Sequence, residues 1–200
     1  MIKELVCKNR SFRRFHQNDK ISMETLEELV DLARHSACGA NLQSLKYILS
    51  CDPRTNELIF KKLGWAAYLK DWKGPAEGEK PAAYVVLMGD TSIHKNFFCD
   101  HGIACQSMLL GAVEKGLGGC ILASINRDEL RKDLSIDDKL EILLVLALGR
   151  PSEEVKLEYI ESGESIKYWR DENGVHRVPK RPLEEIIIQK YDNRKNHGSK

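Results

Sequence analysis

Three arginines and a serine lie within five residues near the start of the chain, in the run Arg10-Ser11-Phe12-Arg13-Arg14. A guanidinium group offers a planar fork of donors that pairs bidentately with phosphate oxygens, and a hydroxyl adds a further donor. The run therefore indicates a site for a dianionic phosphate. A solvated basic turn would have the same composition, so both interpretations stay open on these residues alone.

A second run, at residues 38–43, reads CGANLQ and carries two side-chain amides. An amide both donates and accepts hydrogen bonds. On an extended segment, Asn41 and Gln43 project to the same face, where they could bind the donor and acceptor edge of a pyrimidine-like ring. The alternative is an ordinary turn in which Asn41 bonds its own backbone.

Glycines dominate a third run, GLGGC at residues 116–120. Between a buried helix and a strand, they would let backbone amides approach a planar ligand closely. The alternative is a helix C-cap followed by a tight turn. The run is not a dinucleotide fingerprint, because here the glycines close a helix, whereas that motif opens one.

A cationic pair, Lys180 and Arg181, stands between two prolines far along the chain. These two residues are either exposed charges with no binding role or further ligands of a phosphate that Arg10 and Arg13 also bind. No Ser/His/Asp order, nucleophile elbow or paired carboxylates stand out, and the histidines are scattered. Hydrolase chemistry therefore has little support.

The elements that must position these groups are mixed helices and buried strands. Helices are predicted at residues 1–10, from a cap at Ser22 to about His35, at 53–63, at 103–113 and after a cap at Asn126. Apolar runs predict strands at residues 47–50, 82–89, 120–124 and 141–149. This order predicts an α/β or α+β sandwich around a central sheet.

The helix at residues 103–113 is apolar almost all round, with Gly116 placed to terminate it. Such a helix must be buried on every side, which in a small domain indicates a second subunit. Residues 65–80 are expected to form a long excursion or lid. We expect a single domain over residues 1–191 and a mobile tail at 192–200, where the sequence lacks hydrophobic residues.

Composition and charge exclude several classes of partner. The chain has 31 Lys plus Arg against 30 Asp plus Glu, a net charge of +1, whereas nucleic-acid binding needs a clear cationic excess. The first residues are too charged for a signal peptide, and no window approaches the ~18–20 apolar residues that span a bilayer. We expect a cytoplasmic protein with no membrane or nucleic-acid partner.

The six cysteines are expected to be reduced and structural. No Cys-x-x-Cys pair and no cluster with zinc-finger spacing occurs in the sequence, so no metal site is predicted. The cysteines are Cys7, Cys38, Cys51, Cys99, Cys105 and Cys120.

Taken in order, these runs resemble the motifs of the nitroreductase family. Residues 10–15 resemble its Arg-Ser-x-Arg-x-Phe motif, and residues 38–43 resemble its Ser-Gly-x-Asn-x-Gln-Pro-Trp loop. Further similarities are its central helix and Gly-Leu-Gly turn at residues 100–106 and 116–120, its strand ending in Gly-x-Pro at 146–151, and its C-terminal basic element at 180–185. The resemblance spans residues 10 to 185.

The resemblance implies an α+β fold with a central, mostly antiparallel sheet flanked by helices, in an interlocked homodimer with FMN at the interface. It assigns the phosphate and ribityl end of FMN to Arg10, Ser11 and Arg13, joined by Lys180 or Arg181. It places Asn41, from the partner subunit, near the flavin together with Cys38, Gly39 and Gln43, and Cys120, Ile121 and Leu122 on the flavin's other side.

The chain departs from the family pattern at three positions. Cys38 replaces the usual serine and removes a good hydroxyl donor, while Ser44 and Leu45 replace proline and tryptophan and are expected to affect packing only. Residues 65–75, which include Tyr68 and Trp72, fall where family members vary most and are expected to shape the substrate pocket.

The resemblance also implies an activity. NADH or NADPH would reduce the flavin, and a nitroaromatic, quinone or flavin acceptor would then be reduced in the same cleft by a ping-pong cycle. The chemistry belongs to the flavin, so no catalytic residue is assigned. Alternatives within the same fold are reductive dehalogenation, flavin destruction, and storage or sensing of FMN without rapid turnover.

Overall fold

The computed structural model describes residues 1–191, so the tail predicted at 192–200 lies outside the described residues. The chain divides into two compact units, residues 1–153 and a second unit that begins at residue 154. The single domain expected over residues 1–191 stays a prediction.

The first unit is built on a four-stranded antiparallel sheet with helices on both faces. Its elements are α1 (Ile2–Lys8), α2 (Met23–Arg34), β1 (Leu45–Ser50), α3 (Pro53–Phe60), β2 (Ala83–Asp90), α4 (Asp100–Glu114), β3 (Gly118–Leu122), α5 (Arg127–Asp133) and β4 (Leu140–Gly149). The strand order is β1-β2-β4-β3, with every pair antiparallel. The α+β fold with a mostly antiparallel central sheet is therefore confirmed.

Local capping explains where the helices begin. The Ser22 side chain accepts from the Thr25 N–H at 3.2 Å, as predicted for the start of α2. Asn126 caps α5 in the same way, accepting from the Glu129 N–H at 3.4 Å. Both caps satisfy backbone donors that the first helical turn leaves unpaired.

Two hydrophobic cores enclose the sheet. On one face, α2 and α4 pack on alternate residues of the central strands, such as Val85 of β2 and Leu146 of β4. On the other face, α3 and α5 cover the intervening residues, such as Val86 and Val145. Because both faces are covered, all eight residues of β2 are buried, as its continuous apolar run predicts.

The helix α4 is buried along one face only within a protomer. Cys105, Met108 and Ala112 face the core, whereas Ile103 and Gln106 are exposed. The expected burial on every side is therefore not reached by one copy of the chain. Gly116 follows α4 with φ of 71°, in agreement with its predicted role as a terminator. No helix within residues 1–191 is long and apolar enough to cross a membrane.

The second unit contains a small sheet where the sequence pattern indicated no regular element. The sheet comprises β5 (Val155–Tyr159), β6 (Trp169–Arg170) and β7 (His176–Lys180), in the order β5-β7-β6. The unit also contains the helix α6 (Leu183–Ile186). The strands β5 and β7 are parallel. Arg177 stabilises the sheet by donating to Glu158 at 2.6 Å and to Asp171 at 2.8 Å. Because these contacts are made by charged side chains, they produce no hydrophobic periodicity in the sequence.

Candidate functional site

The basic turn at residues 10–14 lies along the outer edge of β3. Ser11 forms a parallel bridge with Gly119, and the Phe12 N–H donates to the Gly119 carbonyl at 3.0 Å. Since β3 is the last strand of the sheet, the turn covers part of an edge that would otherwise be unpaired. The fold therefore places the candidate phosphate-binding residues 10–14 beside the glycine run at residues 116–120.

Arg10 is half-buried beside α1. Its Nη2 donates to the Val6 carbonyl at 2.8 Å, while its Nε is buried and has no hydrogen-bond partner within residues 1–191. A buried donor without an acceptor costs about 1–3 kcal/mol. An anionic ligand at the turn would supply the acceptor.

Glu153 organises the backbone of the turn, a role that sequence reasoning missed. Its carboxylate accepts from the N–H groups of Arg13 at 2.5 Å and Arg14 at 3.1 Å. The Arg13 Nη1 donates in turn to the Ser11 carbonyl at 3.2 Å. A glutamate shortly after the Gly-x-Pro strand has no motif of its own, so no sequence signal marks this contact.

The three β3 residues assigned to the flavin differ in accessibility. Cys120 and Leu122 are buried in the core beneath α3 and α5, whereas Ile121 faces the other way and is 38% exposed. Burial raises the pKa of the Cys120 thiol, and the positive charge of Arg13 acts in the opposite direction. Arg13 therefore lies close enough to influence this strand.

The glycines that open β3 leave no room for a side chain. A Cβ on Gly119 would lie 2.5 Å from the backbone carbonyl oxygen of Ala147 on β4. That oxygen cannot move without disturbing the ladder, so Gly119→Ala is expected to destabilise the fold by about 1–3 kcal/mol. Gly118→Ala, whose Cβ meets side-chain atoms of Phe12 and Pro151, is expected to cost less. Urea unfolding measures both variants, and equal stabilities would contradict the backbone clash.

The run at residues 38–43 is not extended. Gly39–Asn41 form a single 3-10 turn, and Ala40, Asn41 and Gln43 have φ of 47°, 55° and 51°. The prediction that Asn41 and Gln43 share one face of an extended segment is therefore wrong. The cause is tertiary, because the Gly39 N–H donates to the Asp100 carboxylate at 2.9 Å and holds the turn against the start of α4.

This turn presents its amides to solvent beside a cavity that is partly open to solvent. The side chains of Asn41 and Gln43 are exposed, and the Cys38 Sγ lies 4.0 Å from the Asn41 Oδ1. Cys38, Gln43 and Tyr47 line a cavity of about 270 Å³. Burial raises the pKa of Tyr47 to about 12, with the nearby Asp100 contributing. Consecutive left-handed residues other than glycine are uncommon and cluster at ligand sites.

The basic turn and the turn at Gly39–Asn41, here called the Asn41 turn, lie at different positions along the axis of α4. Asp100 begins the helix, whereas Gly119 lies against Leu109, about 14 Å further along the axis at 1.5 Å per residue. Lys180 and Arg181 belong to the second unit, where Arg181 pairs with Glu185. Their part in a phosphate site stays a prediction. Within the described residues no cluster of His, Cys, Asp and Glu could hold a metal ion.

Comparison with known proteins gives a family match over most of the first unit. The model described as "Nitroreductase family" matches residues 8–150. YodC of Bacillus subtilis (strain 168), a presumed NAD(P)H nitroreductase, is 21% identical over an alignment of 170 residues; the match covers 70% of this chain and 84% of YodC.

Solved structures share the fold at low sequence identity. A nitroreductase family protein from Clostridium novyi NT has a TM-score of 0.64 at 20% identity, covering 76% of this chain and 86% of that one. An FMN-dependent nitroreductase from Clostridium difficile R20291 has a TM-score of 0.62 at 20% identity, covering 77% and 89%. Since the family match includes both the basic turn and the glycines of β3, the chain belongs to the nitroreductase family.

Proposed function

We propose that this protein is an FMN-dependent NAD(P)H oxidoreductase that reduces nitroaromatic, quinone or flavin-type acceptors. The observation that carries the proposal is the basic turn on the edge of β3, where the buried Arg10 Nε has no acceptor within the described chain. Family membership supports it, as do the name of YodC and the FMN dependence of the Clostridium difficile R20291 protein.

The residues of the turn fit the phosphate and ribityl end of FMN. Two guanidinium groups, from Arg10 and Arg13, match the charge of a phosphate dianion. The exposed Ser11 adds a hydroxyl donor at the same edge. On β3, the exposed Ile121 would contact the flavin ring, whereas the buried Cys120 could contribute only its backbone.

The chain's own residues bind and orient in this proposal. Arg10, Ser11 and Arg13 would hold FMN, which would supply hydride-transfer chemistry between a nicotinamide donor and the acceptor. Burial keeps the Cys120 thiol neutral, so the charges beside β3 come from Arg13 and Glu153. We assign no general acid or base, because hydride transfer needs none from the protein.

We also propose a homodimer with α4 at the centre of its interface. One side of α4 exposes Gly102, Ile103 and Gln106, and within the described protomer no residue of α1 is buried. A second copy would cover both helices. It would also bring the partner's Asn41 beside the flavin, so the two turns would not need to meet within one protomer.

Residues 65–75 are proposed to shape the acceptor pocket. Within this described segment neither a helix nor a strand forms. Trp65 packs against Phe60 with ring centroids 5.9 Å apart, which holds one end of the segment, while Tyr68 is exposed. An exposed phenol ring offers a stacking surface to aromatic acceptors.

Absorbance spectra of the purified protein, before and after anaerobic addition of NADPH and then NADH, test the proposal. We expect a flavin spectrum that bleaches on addition of the donor. A dehalogenating or flavin-destroying enzyme would turn over nitro compounds and quinones poorly, and a storage or sensing protein would bleach slowly or not at all. A colourless protein that fails to take up added FMN would refute the flavin assignment.

A further inference from the structure

A second cavity, of about 330 Å³, lies within the first unit between α3, the start of β2 and the segment after the basic turn. Its volume falls in the range of small-ligand pockets, about 300–1,000 Å³. The residues that define its chemistry are Lys20, Glu57, Phe60, Lys80 and Tyr84. None of these belongs to the candidate FMN site.

Tyr84 contributes a hydroxyl that lacks an acceptor. Its side chain is 1% exposed, and the hydroxyl has no hydrogen-bond partner in the described residues 1–191. Burial, with the negative charge of Glu57, raises the pKa of Tyr84, so the hydroxyl is a neutral donor. Since buried phenols nearly always find a partner, this donor points to an acceptor atom within the cavity.

One lysine of the cavity lining is left to pair with an anion. Lys80 is engaged by Glu57 and Glu77, each at 2.9 Å, and its Nζ lies 4.8 Å from the centre of the Phe60 ring. Lys20 is exposed and makes no ion pair among the residues that the structure describes. Glu57 and Glu77 together balance the charge of Lys80, so Lys20 is the lysine of the lining whose charge is left to pair with an anionic ligand.

We propose that this cavity binds a small aromatic carboxylate. The carboxylate accepts from the Tyr84 hydroxyl and pairs with Lys20, while the ring contacts Phe60 and the ammonium of Lys80. A neutral apolar ligand would leave the Tyr84 donor unsatisfied. Inorganic phosphate would leave the apolar wall, which includes Phe60 and Pro81, uncovered.

Calorimetric titration with benzoate tests the proposal, with backbone amide shifts at residues 80–84 reporting the location. We expect saturable binding that Tyr84→Phe weakens about 10- to 100-fold, the worth of one hydrogen bond to a charged group. Tyr159→Phe makes the same change at an 86% exposed position and is expected to leave the affinity unchanged. Benzamide, which has the same shape without the charge, is expected to bind about three- to fivefold more weakly.

Two further measurements separate binding from folding. Tyr84→Phe removes only an unpaired buried oxygen, so its Tm is expected to stay constant or to rise by about 2–4 °C. Lys20→Gln is expected to abolish the preference for benzoate over benzamide. The proposal is overturned by a fall in the Tm of Tyr84→Phe, by the absence of saturable benzoate binding, by benzoate affinity that Tyr84→Phe leaves unchanged, or by a preference that Lys20→Gln retains.

Discussion

Replacing Arg10 with alanine is expected to weaken FMN binding by about 10- to 100-fold, because a hydrogen bond to a charged group contributes about 1.5–3 kcal/mol. The Arg10 Nη2 is held by the Val6 carbonyl at 2.8 Å, which fixes the guanidinium, while the buried Nε has no acceptor within the described chain. A phosphate oxygen would provide it. Fluorescence titration of flavin-free protein with FMN measures the dissociation constant.

Two control variants distinguish the loss of the Arg10–phosphate contact from the loss of a positive charge. Arg10→Lys keeps the charge but loses the planar fork, so its affinity is expected to lie between those of wild type and Arg10→Ala. Arg54→Ala removes an exposed arginine from α3 and is expected to leave FMN affinity unchanged. An Arg10→Ala protein whose affinity stays within about twofold of wild type would contradict the phosphate assignment.

The variant Ile103→Glu is expected to be monomeric at concentrations where the proposed wild-type homodimer would form. Ile103 is 40% exposed on α4 in one protomer. A two-fold interface would bury the change in both copies, and each unpaired carboxylate costs several kcal/mol when buried. The dimer dissociation constant is therefore expected to rise at least about 100-fold. Light scattering after size exclusion reports the mass against 22.8 kDa for one chain.

Ile93→Glu is the matched control for this variant. Ile93 is 43% exposed and lies after β2, outside α4, so the same substitution is expected to leave the dimer intact. The Ile103→Glu monomer is also expected to lose FMN, because in the proposed dimer the partner's Asn41 would lie beside the flavin. A monomer that binds FMN with wild-type affinity would contradict the shared site but not the flavin assignment. A monomeric wild type would reject the dimer itself.

The helix starts and the buried strands could be predicted because their signals are local. The cap at Ser22 acts on an N–H three residues away, and the cap at Asn126 does the same. The apolar runs at residues 82–89 and 141–149 match β2 and β4 to within one residue at each end.

The Asn41 turn and the second unit could not be predicted in the same way. The turn takes its shape from the bond between Gly39 and Asp100, two residues that are distant in sequence. The small sheet depends on the parallel pairing of β5 with β7 and on the ion pairs of Arg177, neither of which produces an apolar period.

By itself, the sequence determined which chemical groups this protein has: the arginines and serine of the basic turn, the amides of the Asn41 turn, the helix caps and the buried strands. Only the tertiary structure decided that Ser11 lies beside Gly119 and that Glu153 holds the turn. It also decided that Ile121 is exposed on β3, whereas its neighbours Cys120 and Leu122 are buried. Caps and hydrophobic periods act over one or two turns of chain, whereas these positions depend on many contacts between distant residues, which no local pattern encodes.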